Sequence, residues 1–287
     1  MTGRATGSER PRTAPRRRAL GQHFLVDPGV AARIVEAVGA TPGDIVCEIG
    51  AGPGALTWTL AARAGRLIAL EIDPSLQARL AQAARARLEG ARVDIRLADA
   101  RSFAYEELHA LRPVPAGRVL VVGNLPYSAS KHILARLFVA RAALDAAVLM
   151  LQREVAERLT ARPGGREYGA LSIFWQQWAE IIPLEVVPPG AFRPPPAVES
   201  AVIRIDFRAA PRVMVSHEPL FQSVVRAAFG QRRKTLGNAL RGGGLGTPER
   251  LTAALIEAAI DPGRRAETLS LEEFARLTGA LAVTSRP

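Results

Sequence analysis

Short apolar runs alternate with longer amphipathic segments between residues 28 and 208. The runs that we predict to be strands are Ile45–Ile49, Arg66–Ile72, Val93–Leu97, Val119–Gly123 and Ala146–Leu151. Helical patterns separate these runs, near residues 54–64, 74–88, 103–111 and 128–141. Short apolar runs that alternate with helical segments of ten or more residues indicate a parallel sheet with crossover helices.

Two later apolar runs, Ile181–Val187 and Ala201–Phe207, are joined by a Pro-rich stretch without a helical pattern. We therefore expect an antiparallel pair that ends a mostly parallel seven-stranded sheet. From residue 217 onward the pattern is helical only, with predicted helices near 217–229, 233–241, 248–259 and 270–281. The predicted organisation is a disordered basic tail over residues 1–19, an α/β domain over 20–210 and a small all-helical domain over 211–287.

The charge of the chain favours a polyanionic partner. Among 287 residues the formal net charge is +11, while the hydrophobic fraction of 48% is enough for a packed core. Phosphate contacts by basic residues release counterions, so a nucleic acid is the partner we favour. The alternative is an Arg-rich composition in which arginine only solubilises the surface. The tail has the same two interpretations, a solvated leader or an arm that contacts RNA phosphates.

Several classes of site are not expected. The single cysteine, Cys47, lies in an apolar run, which indicates a buried thiol and no internal disulfide. The four histidines lack metal-ligand spacing, so we expect no metal. No apolar run approaches the length of about 20 residues that a membrane span needs. No apolar segment follows the basic N-terminus, so we expect a cytoplasmic protein without a membrane partner.

A glycine-rich turn follows the first predicted strand, in Glu48–Ile49–Gly50–Ala51–Gly52–Pro53–Gly54. Glycines at the carboxyl end of a strand let the backbone approach a ligand closely. The positions of Gly50, Gly52 and Ala55 also fit a dinucleotide fingerprint. On this turn alone, a nicotinamide enzyme and a methyltransferase remain equally compatible with the sequence.

Acidic residues at the ends of the next two strands favour the methyltransferase. Glu71 ends the second predicted strand, where its carboxylate can accept both hydroxyls of a ribose. Asp99 follows the third, where it can accept the exocyclic amine of adenine. Taken alone, each acid is better explained as a helix N-cap or a surface carboxylate. Together with the glycine turn they predict a bound adenosine.

The fourth predicted strand ends in Gly123–Asn124–Leu125–Pro126–Tyr127. An adenine N6 amine is a poor nucleophile because its lone pair is delocalised into the ring. Acceptors on its two hydrogens, namely Asn124 and a nearby main-chain carbonyl, can aim that lone pair at a methyl group. Pro126 stiffens the turn and Tyr127 can stack on the base. An ordinary Asn-Pro-type turn is the alternative.

Ordered motifs along the chain resemble those of the bacterial small-subunit ribosomal RNA adenine dimethyltransferase family, from Leu20 to about Leu277. Besides the two turns above, they are Leu20–Leu25, Leu151–Val155, Tyr168–Ser172, Val187–Pro196 and Phe229–Leu236. The resemblance implies a Rossmann-like α/β methyltransferase domain with a helical C-terminal domain. It also implies S-adenosyl-L-methionine as cofactor and 16S rRNA of the small ribosomal subunit as partner, with N6 dimethylation of two adjacent adenines near its 3′ end.

The resemblance also implies roles for individual residues. The cofactor contacts are expected at His23, Leu25, Gly50, Glu71, Asp99 and Asn124, with Gln22 and Phe24 closing the site. Gly52 belongs to the same cofactor turn. Asn124, Leu125, Pro126 and Tyr127 form the catalytic turn, and Tyr127 and Phe192 are expected to sandwich the target adenine. The family usually has Asn-Ile-Ser/Thr after the tyrosine; this chain has Ser128–Ala129–Ser130, which puts the hydrogen bonding there in doubt.

The basic run Arg232–Arg233–Lys234 is the predicted RNA contact, with a solvated helix face as the alternative. We expect a monomer. Three other functions compete: a macrolide-resistance methyltransferase that acts on large-subunit RNA, a non-catalytic RNA-binding factor on the same fold, and a nicotinamide oxidoreductase. The last explains neither Asp99 nor the turn from Asn124 to Tyr127.

Overall fold

A computed structural model of the chain describes residues 22–87 and 93–283, so the predicted basic tail over 1–19 lies outside the described residues. The strands are β1 (Phe24–Leu25), β2 (Ile45–Ile49), β3 (Arg66–Glu71), β4 (Val93–Leu97), β5 (Val119–Asn124), β6 (Ala146–Gln152), β7 (Ala179–Val187), β8 (Phe192–Arg193) and β9 (Ser200–Phe207). The α-helices are α1 (Pro28–Val38), α2 (Thr57–Arg63), α3 (Pro74–Arg87), α4 (Ser130–Ala140), α5 (Arg153–Thr160), α6 (Ala170–Trp178), α7 (Glu218–Gly230), α8 (Leu236–Gly242), α9 (Pro248–Glu257) and α10 (Leu271–Val283).

Seven strands form one sheet in the order β4-β3-β2-β5-β6-β9-β7. The first five run parallel, while β9 is antiparallel to both β6 and β7. This confirms the predicted mostly parallel sheet and its antiparallel end. The strand order reverses beside β2, between β3 and β5, which is where open α/β sheets bind ligands.

Alternate residues of the central strands face opposite sides of the sheet, because side chains of a β-strand alternate with a period of two residues. In β2, Ile45 and Cys47 pack into one apolar cluster, together with residues of α4. Val46 packs into a second cluster on the other face, against α1 and α2. Both faces of the sheet are therefore covered by helices, and the Cys47 thiol is fully buried as predicted.

The Pro-rich segment between β7 and β9 contains short elements that the sequence pattern did not predict. It contains a 3-10 turn, Pro189–Ala191, and then the short strand β8, which pairs antiparallel with β1. The predicted helix near 103–111 is instead a 3-10 helix, Tyr105–Leu111. The hydrophobic pattern of the sequence also did not predict the helices α5 and α6, which lie between β6 and β7.

The C-terminal helices α7 to α10 share an apolar core of their own, and they begin within a few residues of the predicted positions. This core also includes Tyr168 and Ile173, which precede the predicted boundary at residue 210. The Gln177 side chain makes two hydrogen bonds with the backbone of Val213: its Nε2 donates to the carbonyl, and its Oε1 accepts from the amide.

Within the described ranges, no helix combines the length and apolar character needed to cross a membrane.

Candidate functional site

Two adjoining cavities lie at the carboxyl ends of β2, β3, β4 and β5. The smaller cavity, of about 60 Å³, is lined by Gln22, His23, Phe24, Gly50, Gly52, Glu71, Ile72 and the four residues Asn124–Tyr127. The larger cavity, of about 220 Å³, reaches Asp99, Ala100, Arg101 and the start of α4. Gln22, Gly50, Ile72 and Pro126 line both, so the two cavities form one continuous site.

The glycine turn after β2 forms the floor of the site. Gly52 has a φ of 55°, and a Cβ atom there would approach the Phe24 ring within 3.0 Å. Gly50 also has positive φ, and its amide donates to the Leu70 carbonyl at 2.9 Å. The turn therefore needs glycine at Gly52 for both its backbone conformation and its close packing, and it presents bare backbone to the cavity.

Glu71, the last residue of β3, is almost fully buried yet lines the cavity. Its Oε2 accepts from the Gly52 amide at 2.8 Å, and its Oε1 accepts from the amides of Ile72 and Asp73 at 2.9 Å. These bonds fix the carboxylate against the glycine turn. Each carboxylate oxygen has two lone-pair sites, so Oε2 keeps a site for a ligand hydroxyl.

Asp99 lies in the larger cavity, where the sequence placed it, but its carboxylate is already bound. The Arg101 guanidinium contacts both of its oxygens at 2.6–3.0 Å, and the Arg101 amide adds a bond at 2.9 Å. The side-chain hydrogen bond from Arg101 lowers the pKa of Asp99 below its usual value. An adenine amine must therefore share this carboxylate with Arg101, a residue that the sequence analysis missed.

The Asn124 side chain is oriented by the segment that precedes β1. Its Nδ2 donates to the His23 carbonyl at 2.8 Å. The His23 ring in turn donates from Nδ1 to the Pro194 carbonyl at 2.8 Å. Because Nδ2 is engaged on this side, the amide oxygen of Asn124 is the group left to act as an acceptor in the cavity.

Tyr127 is held at the rim of the same cavity. Its hydroxyl lies 2.7 Å from the Oγ of Ser200, the first residue of β9, and its ring centroid lies 5.5 Å from that of His23. Leu125 is buried, and its amide donates to the Met150 carbonyl, which fixes the turn to β6. Ser200 is 73 residues from Tyr127 in sequence, so no local pattern could have predicted this contact.

Two predicted site residues, Leu25 and Phe192, line neither of the two adjoining cavities. Phe192 is fully buried in the core cluster with Leu25, its partner in the β1–β8 pair, and it lines neither cavity. The stacking of Phe192 on the target adenine therefore stays a prediction, because the ring is covered by the core in this structure. Leu25 instead lines a small neighbouring pocket of about 30 Å³, together with Glu48 and Asn124.

Glu48 is a buried carboxyl group beside the site. It is 2% exposed, and the Thr57 hydroxyl donates to its Oε2 at 2.6 Å. Burial raises the pKa of Glu48 to about 8, so the group is largely protonated at neutral pH. The negative charge at the site is therefore concentrated on Glu71 and Asp99.

The predicted RNA-contacting run is a turn between α7 and α8, not a helix face. Arg232 donates to the carbonyls of Arg166 at 2.7 Å and Tyr168 at 3.2 Å, which ties this turn to the segment before α6. Arg233 and Lys234 are exposed. All three side chains are exposed, but only Arg232 also makes hydrogen bonds that tie the turn to another segment.

A third, larger cavity of about 740 Å³ opens beside Tyr127, between α4, α6 and α7. We call it the lateral cavity. Its walls carry cations and aromatic rings, among them Lys131, Arg158, Arg226, Phe138, Phe174, Trp175 and Trp178. These residues come from separate helices, which is why no single motif revealed the surface.

The donor and acceptor set of the site fits an adenosine with a cationic methionine group. One carboxylate ends β3 and another follows β4, the glycine backbone follows β2, and the Asn124 turn adjoins them. The fold and site thus define a Rossmann-like methyltransferase of the class that uses S-adenosyl-L-methionine.

Comparison with known proteins narrows this class. The family described as ribosomal RNA adenine dimethylase matches the chain over residues 14–282. The chain is 44% identical over 266 residues to a ribosomal RNA small subunit methyltransferase A from Geobacter metallireducens, which covers 92% of this chain and 95% of the relative. A protein of the same name from Pelotomaculum thermopropionicum is 46% identical over 268 residues, or 91% and 90% of the two chains. The chain belongs to the ribosomal RNA adenine dimethylase family.

Solved structures agree with this assignment. The 23S rRNA methyltransferase ErmE superposes with a TM-score of 0.71 at 27% identity, covering 90% of this chain and 99% of ErmE. A Plasmodium falciparum dimethyladenosine transferase has the same fold, with a TM-score of 0.75 over 89% of this chain and 96% of that chain, at 23% identity. The predicted family and fold class are confirmed, and the nicotinamide oxidoreductase is ruled out as the family.

The contacts of Glu71 generate a first prediction. Replacing Glu71 by Ala should weaken S-adenosyl-L-methionine binding by about 1.5–3 kcal/mol, because the change removes a charged acceptor and loosens the glycine turn. Titration calorimetry measures the effect. The exposed acid Glu36, which pairs with Arg63 on the surface, provides a matched Ala control that should bind as the unaltered protein does. Unchanged affinity in the Glu71 variant would remove this residue from the cofactor site.

The basic turn generates a second prediction. Replacing Arg233 and Lys234 together by Ala should lower RNA affinity and reduce the slope of log affinity against log salt by up to about 0.7–0.9 per lost phosphate contact. Replacing Arg232 alone should instead lower the free energy of unfolding by about 1 kcal/mol, because two carbonyls lose a donor. Filter binding at several salt concentrations and thermal unfolding distinguish the two effects. An unchanged salt slope in the double variant would show that the turn is only a solvated surface.

Proposed function

We propose that the protein transfers methyl groups from S-adenosyl-L-methionine to N6 of two adjacent adenines near the 3′ end of 16S rRNA, giving N6,N6-dimethyladenosines during small-subunit biogenesis. The predicted class of enzyme, an rRNA adenine dimethyltransferase that uses S-adenosyl-L-methionine, is confirmed by the family match and by the relatives that share 44–46% of its sequence.

The orientation of Asn124 is the observation that carries this function. Its Nδ2 is fixed on the His23 carbonyl, which leaves the amide oxygen as the acceptor, and Asn124 lines the same cavity as Gly50, Glu71 and Tyr127. An acceptor at this position can bind a hydrogen of the target amine next to the cofactor. The amine then presents its lone pair along a fixed direction, which is the main requirement for methyl transfer to nitrogen.

The cofactor supplies an electrophilic methyl on a sulfonium, and transfer to N6 leaves a neutral thioether and releases one proton from the amine. Because the methylated amine is acidic before it loses that proton, the protein needs no strong general base. Asn124 positions the nucleophile, while Tyr127, held by Ser200, offers a stacking surface for a base that has left its helix stack. Stacking offsets the cost of unstacking, which is a few kcal/mol.

The RNA backbone has two candidate surfaces. Lys131 and Arg226 in the lateral cavity lie on the same side as Tyr127, and Arg233 and Lys234 extend the basic surface at the turn after α7. With the net charge of +11, these positions favour phosphate contact around the target base. The predicted basic tail over residues 1–19, which lies outside the described residues, is a further candidate for contact with RNA phosphates.

A large-subunit substrate is the second candidate, because ErmE is a 23S rRNA methyltransferase with the same fold. The identity to ErmE is 27%, against 44–46% for relatives named small subunit methyltransferase A. We therefore favour the small-subunit substrate. A ribosomal substrate favours the predicted cytoplasmic location, and the monomeric state stays a prediction.

Replacing Asn124 by Ala tests the catalytic role. Methyl transfer should fall by about 10²–10³-fold, the usual effect of losing one preorganised polar contact at a reacting centre. RNA affinity should be nearly unchanged, because it depends on many phosphate contacts. Single-turnover methylation of under-methylated small subunits at saturating cofactor measures the rate.

A comparison variant separates catalysis from base capture. Replacing Tyr127 by Ala should weaken capture of the base by about 1–3 kcal/mol through lost stacking. If the Asn124 variant methylates within about threefold of the unaltered protein, a factor far below the loss expected for such a contact, the account of N6 activation is wrong.

A further inference from the structure

The lateral cavity shares part of its wall with the methyl-transfer site. Tyr127 lines both the lateral cavity and the smaller cavity of that site, and Ser128 lines both the lateral cavity and the larger one. The pocket beside Glu48 also adjoins the site, but its volume of about 30 Å³ suits a water molecule rather than a base. The lateral cavity, of about 740 Å³, lies within the range of about 300–1,000 Å³ that is usual for ligand pockets.

The charges of the lateral cavity are complementary to a polyanion. Of its basic residues, Arg158 is already paired with two acidic side chains. Lys131 and Arg226 are exposed, and neither forms an ion pair with any residue that the structure describes. Among the described residues of the lining, Glu218 is the one acid. Two free cations against one acid favour a ligand that carries phosphate groups over an acid-poor peptide.

One arginine of the lateral cavity lies over an aromatic ring of the same wall. The Arg226 guanidinium is 5.8 Å from the centroid of the half-buried Phe174 ring, and both residues line the cavity. The rings of Phe138 and Trp178 are instead covered by Arg141, at 4.8 and 4.3 Å, and Arg141 is not part of the lining. RNA bases that have left their helix stack bind to aromatic rings and to guanidinium planes. The Phe174–Arg226 pair therefore offers a stacking platform inside the cavity.

The proposed substrate has two adjacent adenines, and the site has one Asn124 turn to receive them. While one adenine lies in the methyl-transfer site, the phosphodiester backbone keeps the other within one nucleotide of it. The lateral cavity begins at Tyr127 and Ser128, where the site ends. It is therefore at the right place to receive the neighbouring nucleotide.

We propose that the lateral cavity holds the second of the two adjacent adenines while the first is methylated. The waiting base stacks on the Phe174–Arg226 pair, and Lys131 contacts its phosphate. This inference rests on the proposed function and adds a second nucleotide site to it. Stacking uses the face of a base and not its N6 group, so the cavity accepts each adenine both before and after its own dimethylation.

The test combines changes in the protein with changes in the RNA. Small subunits are reconstituted with 16S rRNA that carries an abasic nucleotide at one of the two target positions, in a separate preparation for each position. Filter binding gives their affinity, and that of particles with intact RNA, for the full chain loaded with S-adenosyl-L-homocysteine, which prevents turnover. The variants are Arg226→Gln, the double variant Phe174→Leu with Arg226→Gln, and Lys131→Gln. Arg79→Gln, an exposed cation of α3 that lines none of the cavities described above, is the matched control.

For the unaltered protein and the Arg79 control, we expect loss of the waiting base to weaken binding by about 5–150-fold, the range for one stacked base. In the double variant the same loss should weaken binding by less than about threefold, because the stacking platform is gone. The Arg226→Gln change alone should already reduce the effect, and its exposed position leaves folding intact, so the result does not depend on the Phe174 change. Lys131→Gln should lower the salt slope by about 0.7–0.9 for all the RNAs alike.

An abasic effect of the same size in every variant would mean that the lost base belongs to the methyl-transfer site only, and it would overturn the assignment. Normal affinity of the Arg226 and double variants for particles with intact RNA would also overturn it, and would leave a protein segment as the occupant of the cavity. Failure of the unaltered protein to dimethylate intact particles when S-adenosyl-L-methionine is supplied would contradict the proposed function itself. Normal dimethylation without the coupled effect would contradict only the second nucleotide site.

Discussion

The close approach of β2 and β5 at their carboxyl ends is the constraint on which the site depends. Gly123 pairs with Ile49 in the parallel ladder, and a Cβ atom at residue 123 would lie 2.6 Å from the Ile49 carbonyl oxygen. Only a residue without a side chain permits this spacing. It brings Gly50 beside the Asn124 carbonyl, so the glycine turn of the cofactor and the turn of the target base meet in one cavity.

The charges of the molecule are arranged around the cavity in which these two turns meet. Glu71 and Asp99 supply anionic acceptors to a cationic cofactor, while Glu48 below them is held largely neutral by burial. Exposed cations flank the site at the lateral cavity and at the turn after α7, while Arg101 in the site is paired with Asp99. A polyanionic RNA is therefore attracted to surfaces that flank the site, and the reacting base alone needs to enter the cavity.

The sequence predicted both ends of every parallel strand to within one residue, because buried strands are nearly continuous apolar runs. It also predicted which strand ends converge, since the carboxyl ends of parallel strands meet at one edge. It missed contacts that depend on packing between distant segments: Arg101 on the Asp99 carboxylate, Ser200 behind Tyr127, and the Arg232 bonds before α6. Phe192 was expected beside the base but is fully buried, because its strand pairs with β1.

Mapping of the methylated positions tests the central claim most directly. Small subunits that lack this modification are incubated with the purified protein and S-adenosyl-L-methionine, and the ribosomal RNA is analysed by primer extension and by mass spectrometry. The account predicts N6,N6-dimethyladenosine at two adjacent adenines near the 3′ end of 16S rRNA, and none in large-subunit RNA treated in parallel. Methylation confined to 23S rRNA, or methyl groups on any atom other than adenine N6, would contradict it.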